Sequence, residues 1–207
     1  MGYIHCLSTR QPFRMRPTSP YTASFLLTGL LIVLTVVFRN YEFLLYAVTV
    51  SVLVVLLYAT DRYFEFDRIA LWLFNAWLVM HSLGGLASYG DVRLYDLILI
   101  DLVGAPYHIL KYDQFVHFYC YLVIAMLMSS VVHKIARPEA SAVAVSVVTI
   151  LAASSLGAVN EIVEFLAVVV TGTQGVGGYT NTAIDLVANL LGAITGTLLL
   201  QAVRYKT

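Results

Sequence analysis

Asn160-Glu161-Ile162-Val163-Glu164-Phe165, then a glycine-rich loop, then Asp185-Leu186-Val187-Ala188-Asn189-Leu190-Leu191-Gly192, is the stretch that decides how this chain is read. It sets three carboxylates in surroundings otherwise apolar enough to span a bilayer. A charged side chain at the bilayer centre costs about 2.5–3.5 kcal/mol on insertion scales. Groups that costly face the interior of a helix bundle, find partners and mark a functional path. The partners expected for them are Asp113 and His117.

Composition supports the membrane reading. Of 207 residues, 60% are hydrophobic and 12% charged, against about 25% charged in a soluble domain. Lys plus Arg and Asp plus Glu are both 12, so there is no basic signature and nucleic acid is excluded as a partner. Cys6 lies in a polar tail and Cys120 in an apolar run, and no structural disulfide is expected. Residues 1–20 read as a cytoplasmic tail with Arg10, Arg14 and Arg16. The following segment shows no small-residue cleavage site and reads as a retained helix.

About 20 apolar residues cross a bilayer as a helix. Six such spans are expected, at 21–38, 42–60, 69–88, 114–132, 140–170 and 183–203, forming one six-helix membrane domain over 21–203. The fifth is longer than a crossing needs and is expected to tilt, or to bend near Ser154, Ser155 and Gly157. Basic residues set the orientation. With the N-terminus inside, nine of the twelve lie on the inner side (Arg10, Arg14, Arg16, Arg62, Arg68, Lys134, Arg137, Arg204, Lys206) and three outside (Arg39, Arg93, Lys111). The expected class is therefore all-α, N-in and C-in. Residues 94–103 are too short to cross and carry Asp96 and Asp101, so a short interfacial helix on the outer face is expected there, ended by Gly104-Ala105-Pro106. Asp96 and Asp101 read as interfacial and His108 as a solvated loop residue.

This topology gathers polar groups at one depth. His81 falls in the outward half of span three. Asp113 and His117 open span four on one helical face. Glu161 and Glu164 share a face of span five, and Asp185 and Asn189 share a face of span six. Gly192 and Gly196 continue that last stripe and allow close helix approach. Asp113, His117, Glu161, Glu164 and Asp185 are the candidate catalytic residues, with His81, Asn189 and Gln174 in support. The set can be read as ligands for a divalent metal, as an acid–base site, as a proton path, or as a hydrogen-bond network that only orients helices. Thr171 to Gly178 is not a P-loop, because no Gly-Lys-Ser/Thr follows; it reads as a flexible outer loop.

Asp113-x-x-x-His117-Phe118, Glu161-x-x-Glu164 and Asp185-x-x-x-Asn189-x-x-Gly192 resemble the three motifs of VanZ-like membrane proteins. The closer resemblance is to the YjdF-type inner-membrane family, through His81-Ser82-Leu83-Gly84-Gly85 and Gly172-Thr173-Gln174-Gly175, over roughly residues 70–200. The chain departs from the YjdF-type pattern at Val176 and at Asn181-Thr182, and from the VanZ pattern at Glu164, where Gln is usual, and in lacking an Arg before Asp185. The resemblance implies a multi-pass prokaryotic membrane protein. VanZ-like members are associated with resistance to glycopeptide and related antibiotics, which implies nothing firm about mechanism.

The residues favour an enzyme embedded in the membrane, a hydrolase or transferase acting on a lipid or lipid-linked cell-envelope substrate. Two other classes compete: a small proton-coupled transporter, which requires access to the cluster from both faces, and a non-catalytic lipid-binding or envelope protein, in which cluster substitutions change only stability.

Overall fold

The computed structural model describes residues 19–172 and 177–204. It is all-helical apart from one short ribbon. Six helices are long and apolar enough to cross a membrane: α1 (Ser19–Val37), α2 (Tyr41–Phe64), α3 (Arg68–Leu86), α4 (Tyr112–Ile135), α5 (Ala142–Thr171) and α6 (Tyr179–Arg204). All six expected spans are present, and their bounds differ by a few residues. Residues 1–18 of the expected tail and Gln174 lie outside the described residues, and Ser19 and Pro20 open α1.

Local chemistry explains where the helices begin. The Asn40 side chain accepts from Phe43 N at 3.1 Å, Asp67 accepts from Ile69 N and Ala70 N at 2.7 and 3.1 Å, and Ser141 accepts from Ala144 N at 3.1 Å. Each satisfies amide groups that the first helical turn leaves without partners. Between α2 and α3, Asp61 accepts from Phe66 N at 3.0 Å and pairs with Arg68 at 3.5 Å, which ties this short connection together. α5 is one continuous 30-residue helix. The serines near its middle leave the ladder intact, Ser155 donating to the Leu151 carbonyl.

α4 is the central helix. It packs on α3, α5 and α6, while α1 packs on α2 and α3. Val116, Val123, Ala125 and Leu127 of α4 form the core with Leu71, Phe74 and Leu78 of α3 and Val54 of α2. Leu26, Val33, Val52, Leu56, Leu151 and Ile162 stand exposed, as expected of side chains that face lipid. The glycine stripe brings α6 against α4. A Cβ at Gly192 would sit 2.1 Å from the Phe118 carbonyl oxygen, and one at Gly196 would sit 2.2 Å from that of Leu122. The helices therefore meet backbone to backbone, and only glycine permits it.

The segment joining α3 to α4 differs from the sequence expectation. Ser88–Tyr89 pairs with Val92–Arg93 as a two-stranded ribbon, β1 and β2, around Gly90 at φ +60°. Only Leu94–Asp96 is helical, as a single 3₁₀ turn. The chain then doubles back, with Leu99 N donating to Leu110 O at 3.0 Å and Tyr112 N to Leu97 O at 2.9 Å. The cause is local: Asp101 accepts from Gly104 N at 2.8 Å and meets the His108 ring at 2.9 Å, and Gly104 takes φ +80°. Side-chain bonds of this kind compete with helix formation. His108 is thus paired rather than merely solvated. Ile100, Leu102 and Val103 remain exposed on this loop.

Candidate functional site

The five expected site residues meet at one end of the bundle, brought there by α4, α5 and α6. His117 is the hub. Its Nε2 lies 3.6 Å from Asp113 Oδ1 and 3.6 Å from Glu164 Oε1, and its Nδ1 lies 3.6 Å from Glu161 Oε1. Asn189 approaches Nδ1 through its Oδ1 at 3.1 Å, while its Nδ2 donates to Glu161 Oε1 at 3.5 Å. With that amide orientation a proton on Nδ1 meets Asn189, and Nε2 is the nitrogen that faces Asp113 and Glu164, where a ligand or a base would act. Gly157 on α5 provides the space for Asn189, since a Cβ there would stand 3.0–3.3 Å from its side chain.

The carboxylates are held but not satisfied. Asn181 Nδ2 donates to Asp185 Oδ2 at 2.6 Å and to Asp113 Oδ2 at 3.2 Å, and Asn160 Nδ2 donates to Glu164 Oε1 at 2.8 Å. Glu161 Oε2 and Asp185 Oδ1 are buried with no hydrogen-bond partner among the described residues, and Asp185 is 0% exposed. Four carboxylates surround one imidazole in a low-dielectric setting. Charges so placed must be offset by protons or by a cation. Among the described residues, two groups have the geometry to hold a metal ion: Asp113, His117 and Asp185, and His117, Glu161 and Glu164, each with ligand atoms within 4.8 Å of one another. The orphaned oxygens fit that use.

A cavity of about 110 Å³ leads to the cluster, several times the space one water needs. Asp113, His117 and Glu164 form its floor. Tyr46, Trp77 and His81 form a wall, and Arg93, Tyr95, Asp96 and Lys111 roof it. His81 is a wall residue rather than a member of the cluster. It stacks on Trp77 with ring centres 5.2 Å apart, and Tyr95 Oη meets its Nδ1 at 2.6 Å. The two glycines at Gly84 and Gly85 make room for these rings. A Cβ at Gly84 would strike Tyr95 at 2.6 Å, and one at Gly85 would strike Phe43 at 1.6 Å. Burial holds the Tyr95 phenol well above its ordinary range, so it stays protonated, and its oxygen also lies 3.3 Å from the His81 carbonyl.

Asn160 and Asn181 join the site without being apparent as site residues from sequence. Each stands four positions before a cluster carboxylate on the same helix, and that spacing is the signal that can find them. Arg93 and Lys111 read from sequence as the loop cations nearest the cluster, the candidates to meet a phosphate. Their place over the cavity depends on the non-helical fold of residues 97–110.

No curated protein and no solved structure matches this chain. One family does, over residues 21–206, nearly the whole length. The six candidate transmembrane helices and the sequence match agree, and the chain belongs to the family described as Predicted membrane protein (DUF2238).

Proposed function

We propose that this protein is a membrane-embedded hydrolase or transferase, acting on a lipid or lipid-linked cell-envelope substrate, with Asp113, His117, Glu161, Glu164 and Asp185 as its centre. One observation carries the reading: buried carboxylate oxygens without partners stand around His117 beside a cavity that reaches the cluster. A network that existed only to orient helices would close on itself, because an unsatisfied buried acceptor costs about 1–3 kcal/mol.

Asp113, Asp185 and His117 Nε2 would hold a divalent cation, which would supply a Lewis acid and lower the pKa of a bound water. Glu164 would then take the proton of the attacking water or hydroxyl. The bond to the leaving oxygen breaks as the new bond forms, and the proton passes to that oxygen. Asn189 fixes the imidazole tautomer, and Asn181 and Asn160 hold the carboxylates in place. The basic residues favour an orientation with both termini inside, which sets the centre at the outer face. A reporter fused after Thr207 should therefore be active only when it works inside the cell; activity only outside would reverse the orientation.

The test is a hydrolysis and transfer screen on lipid-linked substrates with purified protein. Turnover that Glu164→Gln and His117→Ala abolish supports the roles assigned to those two residues. Full turnover in both variants removes them.

A further inference from the structure

The cavity has two properties that the cluster does not explain. First, it is walled on one side by residues that also lie on the outer surface of the bundle. α2 packs chiefly on α1, and α5 on α4 and α6, so α2 and α5 touch each other only lightly across the cavity. Thr49 of α2 and Asn160 and Val163 of α5 line it. Thr49 is exposed, and the other two are half-buried. Thr49 is eight residues in from Tyr41, about 12 Å along the helix, and Asn160 is eleven residues from Thr171, about 16 Å. An opening at that depth meets acyl chains rather than water.

Second, the wall presents buried polar atoms without partners. Tyr95 Oη meets His81 Nδ1 at 2.6 Å, and with Tyr95 as the donor there the His81 proton stands on Nε2. That atom and Tyr46 Oη are buried and without hydrogen-bond partners among the described residues. Both residues line the cavity, with Lys111 at the roof. Arg93 is already engaged by Asp96 at 3.2 Å and Glu42 at 3.8 Å. Lys111 is half-buried and has no ion pair among the described residues. The cavity lining also carries the carboxylates of Glu42, Asp96, Asp113 and Glu164, and within it His81, Tyr46 and the Lys111 ammonium are the groups that suit a ligand rich in anionic oxygen.

We infer that the cavity takes an amphiphile with a phosphate headgroup, which enters sideways between α2 and α5 and sets its phosphate among His81 Nε2, Tyr46 Oη and Lys111. The inference rests on the proposed function for its catalytic meaning, since it places the headgroup beside the carboxylate centre. It concerns binding alone and is testable without turnover.

The two tryptophans provide the assay. Trp77 lines the cavity and is 8% exposed, whereas Trp72 is 49% exposed on the lipid-facing side of the same helix. Trp72→Phe protein in nanodiscs is titrated with phosphatidic acid brominated on its acyl chains, or with equally brominated phosphatidylcholine or diacylglycerol. Trp77 fluorescence should fall saturably with phosphatidic acid and remain with diacylglycerol. Apparent affinity should drop about tenfold in Lys111→Met, the loss of one charge-assisted contact, drop in Tyr46→Phe, and return in Lys111→Arg. In Trp77→Phe protein, Trp72 should be quenched alike by all three lipids. Equal quenching of Trp77 by all three, unchanged in Lys111→Met, overturns the headgroup assignment. No quenching of Trp77 where Trp72 is quenched overturns the sideways entry. Full displacement by inorganic phosphate at the lipid's own concentration overturns the lipid in favour of the free ion. Selective quenching that survives in Glu164→Gln protein, beside absent turnover in the parent, breaks the proposed function and leaves this inference standing.

Discussion

Two buried polar groups, at opposite ends of the same bundle, behave differently. At the end where α1 and α3 begin, Asn75 donates to the carbonyls of Pro20 and Leu71, both at 3.0 Å, and accepts from Ser24 at 2.9 Å. Every polar atom of that side chain is engaged, so the network is complete and apolar side chains close around it. At the other end, the cluster on α4, α5 and α6 leaves Glu161 Oε2 and Asp185 Oδ1 without partners among the described residues and opens into a cavity. Burial alone does not separate a structural polar group from a functional one. What separates them is whether the protein itself satisfies the group.

The comparison breaks most sharply at His117. His117→Ala should lower any cluster-dependent turnover by about 10²–10⁴-fold without unfolding the protein, which steady-state rates beside a thermal melt in detergent would check. A comparable loss in Asn75→Ala at equal folded fraction would erase the distinction between the two ends. Gly192→Ala should act through packing instead. Its new Cβ, 2.1 Å from the Phe118 carbonyl oxygen, forces α6 away from α4 at a cost of about 1–3 kcal/mol, visible as a lower melting temperature. Activity should fall with it, because Asp185 and Asn189 move on the same helix.

Stability should also change in opposite directions at the two ends. Asn75→Leu should destabilise by about 1–3 kcal/mol, since it removes a satisfied buried group and takes the Nδ2 donor away from the Pro20 carbonyl. Glu161→Gln removes one of four crowded carboxyl groups and should leave the melting temperature of metal-free protein unchanged or raised, while weakening metal binding. Melts of both variants with and without a chelator decide the point. A drop in metal-free Glu161→Gln as large as that in Asn75→Leu would make the cluster structural.

The smallest effect belongs to the roof. The His108 ring and then the Gly104 amide hold the Asp101 carboxyl below its ordinary range. Its contribution to loop order is present above the ordinary carboxylate pKa and lost as pH falls through the lowered one. Asp101→Asn should therefore speed exchange of the Gly104 amide at neutral pH and change nothing in strong acid. Equal acceleration at both pH values would show that the carboxylate charge has no part in the loop.

What the sequence discloses follows from how local the governing physics is. Bilayer thickness sets span length, so all six helices can be read from hydrophobic runs. Helical periodicity aligns Asp113 with His117 and Glu161 with Glu164, and the cost of buried charge says that these pairs must meet. Gly192 and Gly196 name the helix contact that brings Asp185 in. Residues 97–110 escape such reasoning because hydrogen bonds from Asp101 and strained turns at His108 and Leu110, at φ +44° and +78°, override an apolar run. The cavity roof depends on that loop, so Tyr95 is not legible as a lining residue, and Arg93 and Lys111 are legible only as the loop cations nearest the cluster. Asn160 and Asn181 escape for a different reason: an amide carries no charge and draws no attention until the carboxylate it holds has been placed.

Whether the cluster on α4, α5 and α6 is a cation-holding centre is decided most directly by elemental analysis of detergent-purified protein, prepared without chelators and beside a Glu164→Ala/His117→Ala double variant. One divalent metal ion, or two, per chain in the parent and none in the variant is the expected result. Metal-free parent protein that also takes up none on dialysis against Mn²⁺, Zn²⁺ or Mg²⁺ would contradict it.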